Sequence, residues 1–241
     1  CEKIASRGLP FYVCPGTSSW NSITGRLTNA TENLSRAALN GITFGAKGYL
    51  IADWGDHGHH QYLPISFGGL TLGACSAWHH KASKFIDLSD AIHKIWLPEH
   101  LKASQLLVTL GSIPDKIDCD IRNGTIFNHL LFWNMRKETV FSKQIRQKEL
   151  KVVQKLLGEL SEEIDAAPTS LVKKELSNAV RMASHSLDRL ALFRGYIRRA
   201  NNPKRTIQEI ITEHRTLWKS RNRLGGLAES NAFLSRSAKC L

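Results

Sequence analysis

The sequence predicts an α/β fold made of the last two βα units of a TIM (β/α)8 barrel, followed by an α-helical carboxy-terminal region. Two short apolar runs, Leu9–Cys14 and Gly48–Asp53, enclose one helical pattern, which is the arrangement of parallel strands joined by a crossover. After Asp53 only helical patterns follow. Because parallel sheets are normally covered on both faces and belong to larger assemblies, we expect the remaining strands to precede Cys1.

The stretch between the two apolar runs has the periodicity of a single helix. Asn29 and Glu32 have the spacing of a capping box, and apolar residues recur at helical intervals from Leu34 to Phe44. Further helical patterns occupy roughly 65–79, 87–97, 99–110 and most of 125–220. We therefore predict two domains, a barrel portion over residues 1–112 and a helical region over residues 113–241.

The two predicted parts differ in charge. Residues 1–120 contain 10 Lys and Arg against 10 Asp and Glu, whereas residues 121–241 contain 23 against 11, so the second part carries the whole net charge of +12. The five cysteines are widely scattered without a CxxC pair, which argues against a disulfide scaffold or a zinc ribbon. No apolar run approaches the roughly 18 residues of a membrane span, and we expect no membrane partner.

The sequence does not assign a compartment to the protein. It begins with Cys1 and shows no leader peptide, so we expect a fragment or a processed chain. Glycosylation sequons begin at Asn29, Asn33 and Asn123, but such triplets also arise by chance and do not establish secretion. Secreted, lysosomal and cytosolic locations all stay open.

Aromatic and polar side chains follow both predicted strands. Trp20 lies in the first of these loops, and Trp54 and Asp56 lie in the second. Loops after the strand ends build the site in α/β barrels. A tryptophan ring can stack on the apolar face of a sugar while a carboxylate accepts hydrogen bonds from its hydroxyls, so Trp54 and Asp56 are candidate substrate-binding residues. The alternative is that Trp54 closes the mouth of the barrel, Asp56 caps the next turn and Trp20 is a buried anchor of its loop.

The same loops resemble a known family. The segments Phe11–Ser22 and Ala52–Gln61 are similar to the last two barrel strands of a branch of family-20 glycoside hydrolases, the β-N-acetylhexosaminidases. The segment His214–Ser230 resembles the closing helix and turn of the same enzymes. The resemblance therefore covers both ends of the chain, while the middle is generic, and it identifies residues 1–112 with the end of a glycosidase catalytic barrel.

The resemblance implies an enzyme that hydrolyses terminal non-reducing N-acetylhexosamine residues by a retaining, substrate-assisted mechanism. The acetamido oxygen of the substrate attacks the anomeric carbon, and the glutamic acid of an adjacent Asp–Glu pair protonates the leaving group. This chain contains no adjacent Asp–Glu pair, so we expect it to hold no catalytic residue and to be inactive by itself. The implied partners are glycans that contain N-acetylglucosamine or N-acetylgalactosamine, and no cofactor or metal is implied.

The resemblance also suggests roles for the candidate binding residues. Asp56 stands two residues after the last-strand tryptophan, where family members often have a longer glutamate that holds sugar hydroxyls. The tyrosine that the family has near the end of the preceding strand is not recognisable in Gly16–Trp20, and Trp20 is the candidate to line the acetamido pocket instead. Asp53 and His59 are predicted to be structural, because such residues commonly fix loops and turns.

Two rival interpretations involve other parts of the composition. His57, His59 and His60 suggest a metal site, but a short loop usually needs further ligands from elsewhere, and we expect no bound metal. The basic stretches Arg194–Arg205 and Lys219–Arg223 are an alternative basis for a helical nucleic-acid-binding or interaction protein without catalysis. Since no recognised nucleic-acid motif accompanies this charge, a solvated basic helix face is the preferred interpretation.

Overall fold

A computed structural model describes residues 1–197 and 203–238 as a mostly helical protein, with 65% helix and 3% strand. The predicted α/β fold is therefore wrong, and so is the assignment to the last units of a TIM barrel. The described residues contain one sheet of two strands, β1 (Tyr12–Val13) and β2 (Gly48–Tyr49), which pair in parallel. Most of the apolar side chains are buried between helices and not against a sheet. Two short apolar runs were therefore not sufficient evidence for a barrel.

The described residues form eleven helices, two of which are a single turn long. Ten of them follow β1, and α2 connects the two strands. Short 3-10 turns at Ala82–Phe85 and Ile113–Lys116 follow the third and fifth helices. The helices are α1 (Glu2–Ala5), α2 (Leu27–Thr43), α3 (Leu63–His79), α4 (Leu88–Trp96), α5 (Leu101–Ser112), α6 (Ile126–Leu131), α7 (Val140–Gln144), α8 (Gln147–Ala166), α9 (Leu171–Phe193), α10 (Pro203–Arg221) and α11 (Leu227–Ala238).

The individual helices lie close to the positions that the periodicity predicts. The patterns at 65–79, 87–97 and 99–110 correspond to α3, α4 and α5, and these predictions are confirmed. The predicted capping box of α2 is not formed, because this helix begins three residues earlier, after Arg26 and not after Asn29. Asn29 lies inside the helix, where its Oδ1 accepts a hydrogen bond from Ser18 Oγ at 2.8 Å. Asn29 thus connects α2 to the loop after β1.

One large hydrophobic core contains side chains from both predicted domains. Ile65 of α3 and Leu110 of α5 belong to it, together with Met182, Leu187 and Leu190 of α9, which are fully buried. Helix α9 contacts α6, α8 and α10 and occupies the centre of the helical part. Truncating one of these leucines to alanine typically costs about 2–5 kcal/mol of stability. The division at residues 112 and 113 stays a prediction.

A buried hydrogen-bond network connects the start of α3 to the last three helices. Asn178 Nδ2 donates to Tyr62 Oη at 2.7 Å, and Tyr62 Oη lies 3.1 Å from His214 Nδ1. The other ring nitrogen of His214 is 2.8 Å from Ser230 Oγ, and His60 Nε2 is 3.1 Å from the Ser230 carbonyl oxygen. Since buried polar groups need such partners, the network fixes the loop before α3 against α9, α10 and α11.

A buried ion pair links α9 to α10. The Glu175 side chain is fully buried, and its two oxygens accept hydrogen bonds from Nε and Nη2 of Arg221, each at 2.8 Å. Arg194 of the other basic stretch is paired as well, since its Nε lies 2.8 Å from a carboxylate oxygen of Glu138. Residues 198–202 of the Arg194–Arg205 stretch lie outside the described part of the chain. Among the described helices, none is long and apolar enough to cross a membrane.

Candidate functional site

A single carboxylate joins the two loops that follow the strands. Asp53 Oδ1 accepts hydrogen bonds from Thr17 Oγ1 at 2.6 Å, Ser19 Oγ at 2.8 Å and Ser66 Oγ at 3.0 Å. The three hydroxyl-bearing residues are buried, whereas Asp53 itself is exposed at the rim of the loops. Its Oδ2 has no hydrogen-bond partner in the part of the chain that the structure describes. The carboxylate is thus held by one oxygen and open at the other.

The three predicted sugar-binding residues lie together at this end of the sheet. The ring centroids of Trp20 and Trp54 are 6.3 Å apart, and the His57 ring lies 5.6 Å from that of Trp20. Trp20 Nε1 donates a hydrogen bond to the backbone oxygen of Asp56 at 3.1 Å, which ties the first loop to the second. The Trp54 side chain is 58% exposed, and the Asp56 carboxylate is exposed beside it. The cluster therefore offers two aromatic rings and a carboxylate to solvent.

Both loops contain strained backbone. Ser18, Asn21 and Ile23 in the first loop and His57 and His59 in the second have positive φ angles between 46° and 69°. Such conformations are uncommon for residues other than glycine, and for a β-branched residue such as Ile23 they are genuine outliers. Each costs on the order of 1–3 kcal/mol and persists only where the surrounding structure enforces it, as at binding and active sites. The strain concentrates in the two loops that carry the tryptophans.

Two glycines allow close approaches around these loops. A Cβ on Gly69 of α3 would lie 2.6 Å from the Thr17 carbonyl oxygen, so α3 could not pack against the first loop. Gly58 has a φ of +90°, and a Cβ there would lie 2.4 Å from the His60 ring. The tight second loop therefore requires glycine at position 58. The packing of the first loop against α3 requires glycine at position 69.

The three histidines of the second loop point to different neighbours. His57 packs on Trp20, His59 meets the Trp218 ring edge-on, and His60 is buried against Ser230. Burial lowers the pKa of His59, an effect that the negative charge of nearby Asp53 partly offsets. Among the described residues, no group of three or more His, Cys, Asp or Glu side chains is arranged to hold a metal ion. The geometry therefore gives the metal interpretation no support.

An open cleft of about 740 Å³ runs from the tryptophans along β1. One wall is the strand itself, and the other is the exposed face of α2. Asn33 of this helix donates from Nδ2 to the Gly16 carbonyl oxygen at 3.3 Å, so the two walls meet near the end of β1. The polar side chains that α2 contributes to the cleft are Asn29, Glu32, Asn33, Arg36 and Asn40.

Comparison with known proteins does not extend this description. No protein-family model matches the chain, and no curated protein matches it. The resemblance of the loops to β-N-acetylhexosaminidases therefore stays an interpretation of the sequence, and the assignment of Trp20, Trp54 and Asp56 to sugar binding stays a prediction.

Sequence reasoning assigned a structural role to Asp53 and overlooked the polar face of α2. The structure makes Asp53 the junction of the site, with three hydroxyl donors on one oxygen. Thr17 and Ser19 are two residues apart, and a loop with hydroxyls at such spacing after a strand is a signal that could have indicated a shared acceptor. The α2 face was hidden because polar residues on a helix normally indicate only a solvated side.

Proposed function

We propose that the loops after β1 and β2 bind a terminal N-acetylhexosamine residue of a glycan, and that the protein is the sugar-binding part of a β-N-acetylhexosaminidase. The observation that carries this proposal is the aromatic pair of Trp20 and Trp54 beside two carboxylates. The resemblance of the loop sequences to family-20 glycoside hydrolases supplies the substrate class.

The aromatic pair suits one sugar ring. An N-acetylhexosamine has an apolar face of C–H groups that packs on an indole, and the exposed Trp54 ring offers such a surface. Trp20 is half-buried and fixed by its hydrogen bond to the second loop, so it can bound the space for the acetamido methyl group. A preorganised aromatic surface costs little conformational entropy on binding.

The two carboxylates can orient the bound sugar through hydrogen bonds. Asp56 is exposed next to Trp54, and the open oxygen of Asp53 can accept a hydrogen bond from a sugar hydroxyl. Hydrogen bonds to an ionised carboxylate are about twice as strong as those between neutral groups. Because three hydroxyls orient Asp53, its free oxygen loses little further freedom when a ligand binds.

Catalysis requires a group that these residues do not supply. In the substrate-assisted mechanism, the acetamido oxygen is the nucleophile, and a glutamic acid protonates the leaving oxygen. No adjacent Asp–Glu pair is present in the 241 residues, so the proposal assigns no residue of this sequence as the acid. We therefore expect the isolated chain to bind the sugar without hydrolysing aryl N-acetylglucosaminides, and hydrolysis by the chain alone would contradict this assignment.

Replacing Trp54 by alanine is expected to weaken binding of an N-acetylglucosamine disaccharide about tenfold, since the principal apolar surface is lost. Isothermal calorimetry or NMR titration measures the affinity. Trp78→Ala is the matched control, because Trp78 is also exposed but lies at the end of α3, outside the cleft residues. Equal affinities of the wild type and Trp54→Ala for the disaccharide would refute the proposed function.

Replacing Asp53 by asparagine tests the open carboxylate oxygen. The amide oxygen can still accept the hydroxyls of Thr17, Ser19 and Ser66, while the amide nitrogen takes the place of the free acceptor. We expect an affinity about ten- to a hundredfold lower for the disaccharide, with little change in the thermal unfolding temperature. A variant with full affinity would show that Asp53 only holds the loops, as the sequence first suggested.

A further inference from the structure

Two aromatic side chains at the end of α3 are almost wholly exposed. Trp78 is 91% exposed and Phe85, at the end of the following 3-10 turn, is 88% exposed. A tryptophan or phenylalanine side chain normally buries 150–250 Å². Exposed apolar patches rimmed by polar residues are typical of protein or membrane interaction sites. The sequence did not indicate this exposure, because Trp78 lies in the predicted helical pattern at 65–79 and Phe85 lies between that pattern and the next.

The segment that carries these rings is held in a defined turn. Ser83 Oγ donates a hydrogen bond to the His80 carbonyl oxygen at 2.8 Å, and Ser76 Oγ lies 3.4 Å from Ser83 Oγ. The Ala82 backbone N–H donates to His79 Nδ1 at 3.0 Å. The turn is therefore fixed against the last part of α3, and both rings are presented by ordered backbone.

Two exposed lysines, Lys81 and Lys84, lie between the two rings in sequence. No Asp or Glu occurs from residue 57 to residue 86, and the next carboxylate, Asp87, accepts the backbone N–H of Asp90 as the N-cap of α4. We call Trp78, Lys81, Lys84 and Phe85 the aromatic–lysine tip. Aromatic rings enter the boundary between headgroups and acyl chains, and lysines attract anionic headgroups at about the same depth.

We propose that the aromatic–lysine tip docks the protein peripherally on an anionic membrane surface. The expectation of no membrane partner considered only spanning segments, and the tip needs none. Single-stranded nucleic acid also combines aromatic and basic contacts, but it stacks on rings that line a charged groove. Rings exposed over about nine-tenths of their surface fit insertion between lipid headgroups better than a stacking platform, which has protein behind one face.

Sedimentation with phosphatidylcholine vesicles, with and without phosphatidylserine, tests this proposal on the full chain. We expect binding only with phosphatidylserine, and weaker binding as salt is added. Lys81→Glu with Lys84→Glu, and separately Trp78→Ala with Phe85→Ala, should each lower the association constant about tenfold. Lys148→Glu with Lys151→Glu on α8 makes the same change in net charge at exposed positions and should change binding less than about twofold.

Fluorescence locates the contact. Brominated lipids should quench tryptophan emission of the wild type, and Trp78→Phe should retain binding but lose most of this quenching. Absence of vesicle binding, or equal loss in the tip and α8 variants, would overturn the proposal. Binding of a single-stranded oligonucleotide that depends on the tip, without vesicle binding, would also overturn it and assign the surface to nucleic acid.

Discussion

Lowering the pH from about 7 to about 4 is expected to reduce the free energy of unfolding by several kcal/mol. Burial lowers the pKa of His60 and of His185 to about 4 and that of His214 to about 3. In the unfolded chain these groups titrate near 6.5. Below that pH the unfolded state binds more protons than the folded state, so stability is lost as the pH falls towards 4. Each histidine contributes about 1.4 kcal/mol per pH unit in this window.

Urea unfolding across this pH range measures the slope, and His185→Leu isolates one of the three groups. The Nε2 atom of His185 is buried and has no hydrogen-bond partner among the described residues, so leucine removes the titrating group without breaking a bond at that atom. We expect the slope to fall by about 1.4 kcal/mol per pH unit. His79→Gln, at an exposed position, is the control. An unchanged slope in His185→Leu would contradict the burial of a neutral histidine.

Replacing Arg221 by methionine is expected to cost about 3–5 kcal/mol of stability. The Glu175 carboxylate is fully buried and accepts both of its charged hydrogen bonds from Arg221. Without the guanidinium, a buried charge stays without compensation, which is among the most destabilising changes that a single substitution can make. Chemical denaturation at neutral pH measures the loss.

A double variant tests whether the loss of stability comes from an uncompensated buried charge or only from the loss of side-chain contacts. Replacing both Glu175 and Arg221 by methionine should recover most of the stability, because an apolar pair of similar volume leaves no charge to solvate. Arg205→Met, which disrupts an exposed pair with Glu209, should cost only about 0–1 kcal/mol. Similar losses from Arg221→Met and Arg205→Met would show that Glu175 is not sequestered from water.

The sequence predicts the helices better than the fold. Periodicity placed α3, α4 and α5 to within about two residues, because each helix buries one stripe that recurs at a fixed interval. It also marked the two apolar runs, but their regular pairing covers only two residues each. The number of strands in a sheet depends on contacts between residues that are distant in sequence. The two apolar runs therefore did not contain the information needed to infer an eight-stranded barrel.

The site is predictable to a similar degree. The chemistry of Trp20, Trp54 and Asp56 can be read from their types, and the structure brings these residues together. The hydrogen bonds of Asp53 cannot be read from the sequence in the same way, since one of its three donors, Ser66, lies on the first turn of α3 and not in either loop. The positive φ angles of Ile23 and His57 were equally hidden, because they result from packing and not from local preference.

The hydrogen bond between His60 and Ser230 means that the site is completed only late in protein synthesis. The two residues are 170 positions apart, yet the second anchors the loop that carries Trp54 and Asp56. At about 5–20 residues per second, a ribosome needs roughly 10–30 s to synthesise the intervening chain. Until Ser230 is synthesised, a nascent chain therefore carries Trp54 and Asp56 on a loop that lacks this one anchor, and the loop can reach its final surface only after the last helix has formed.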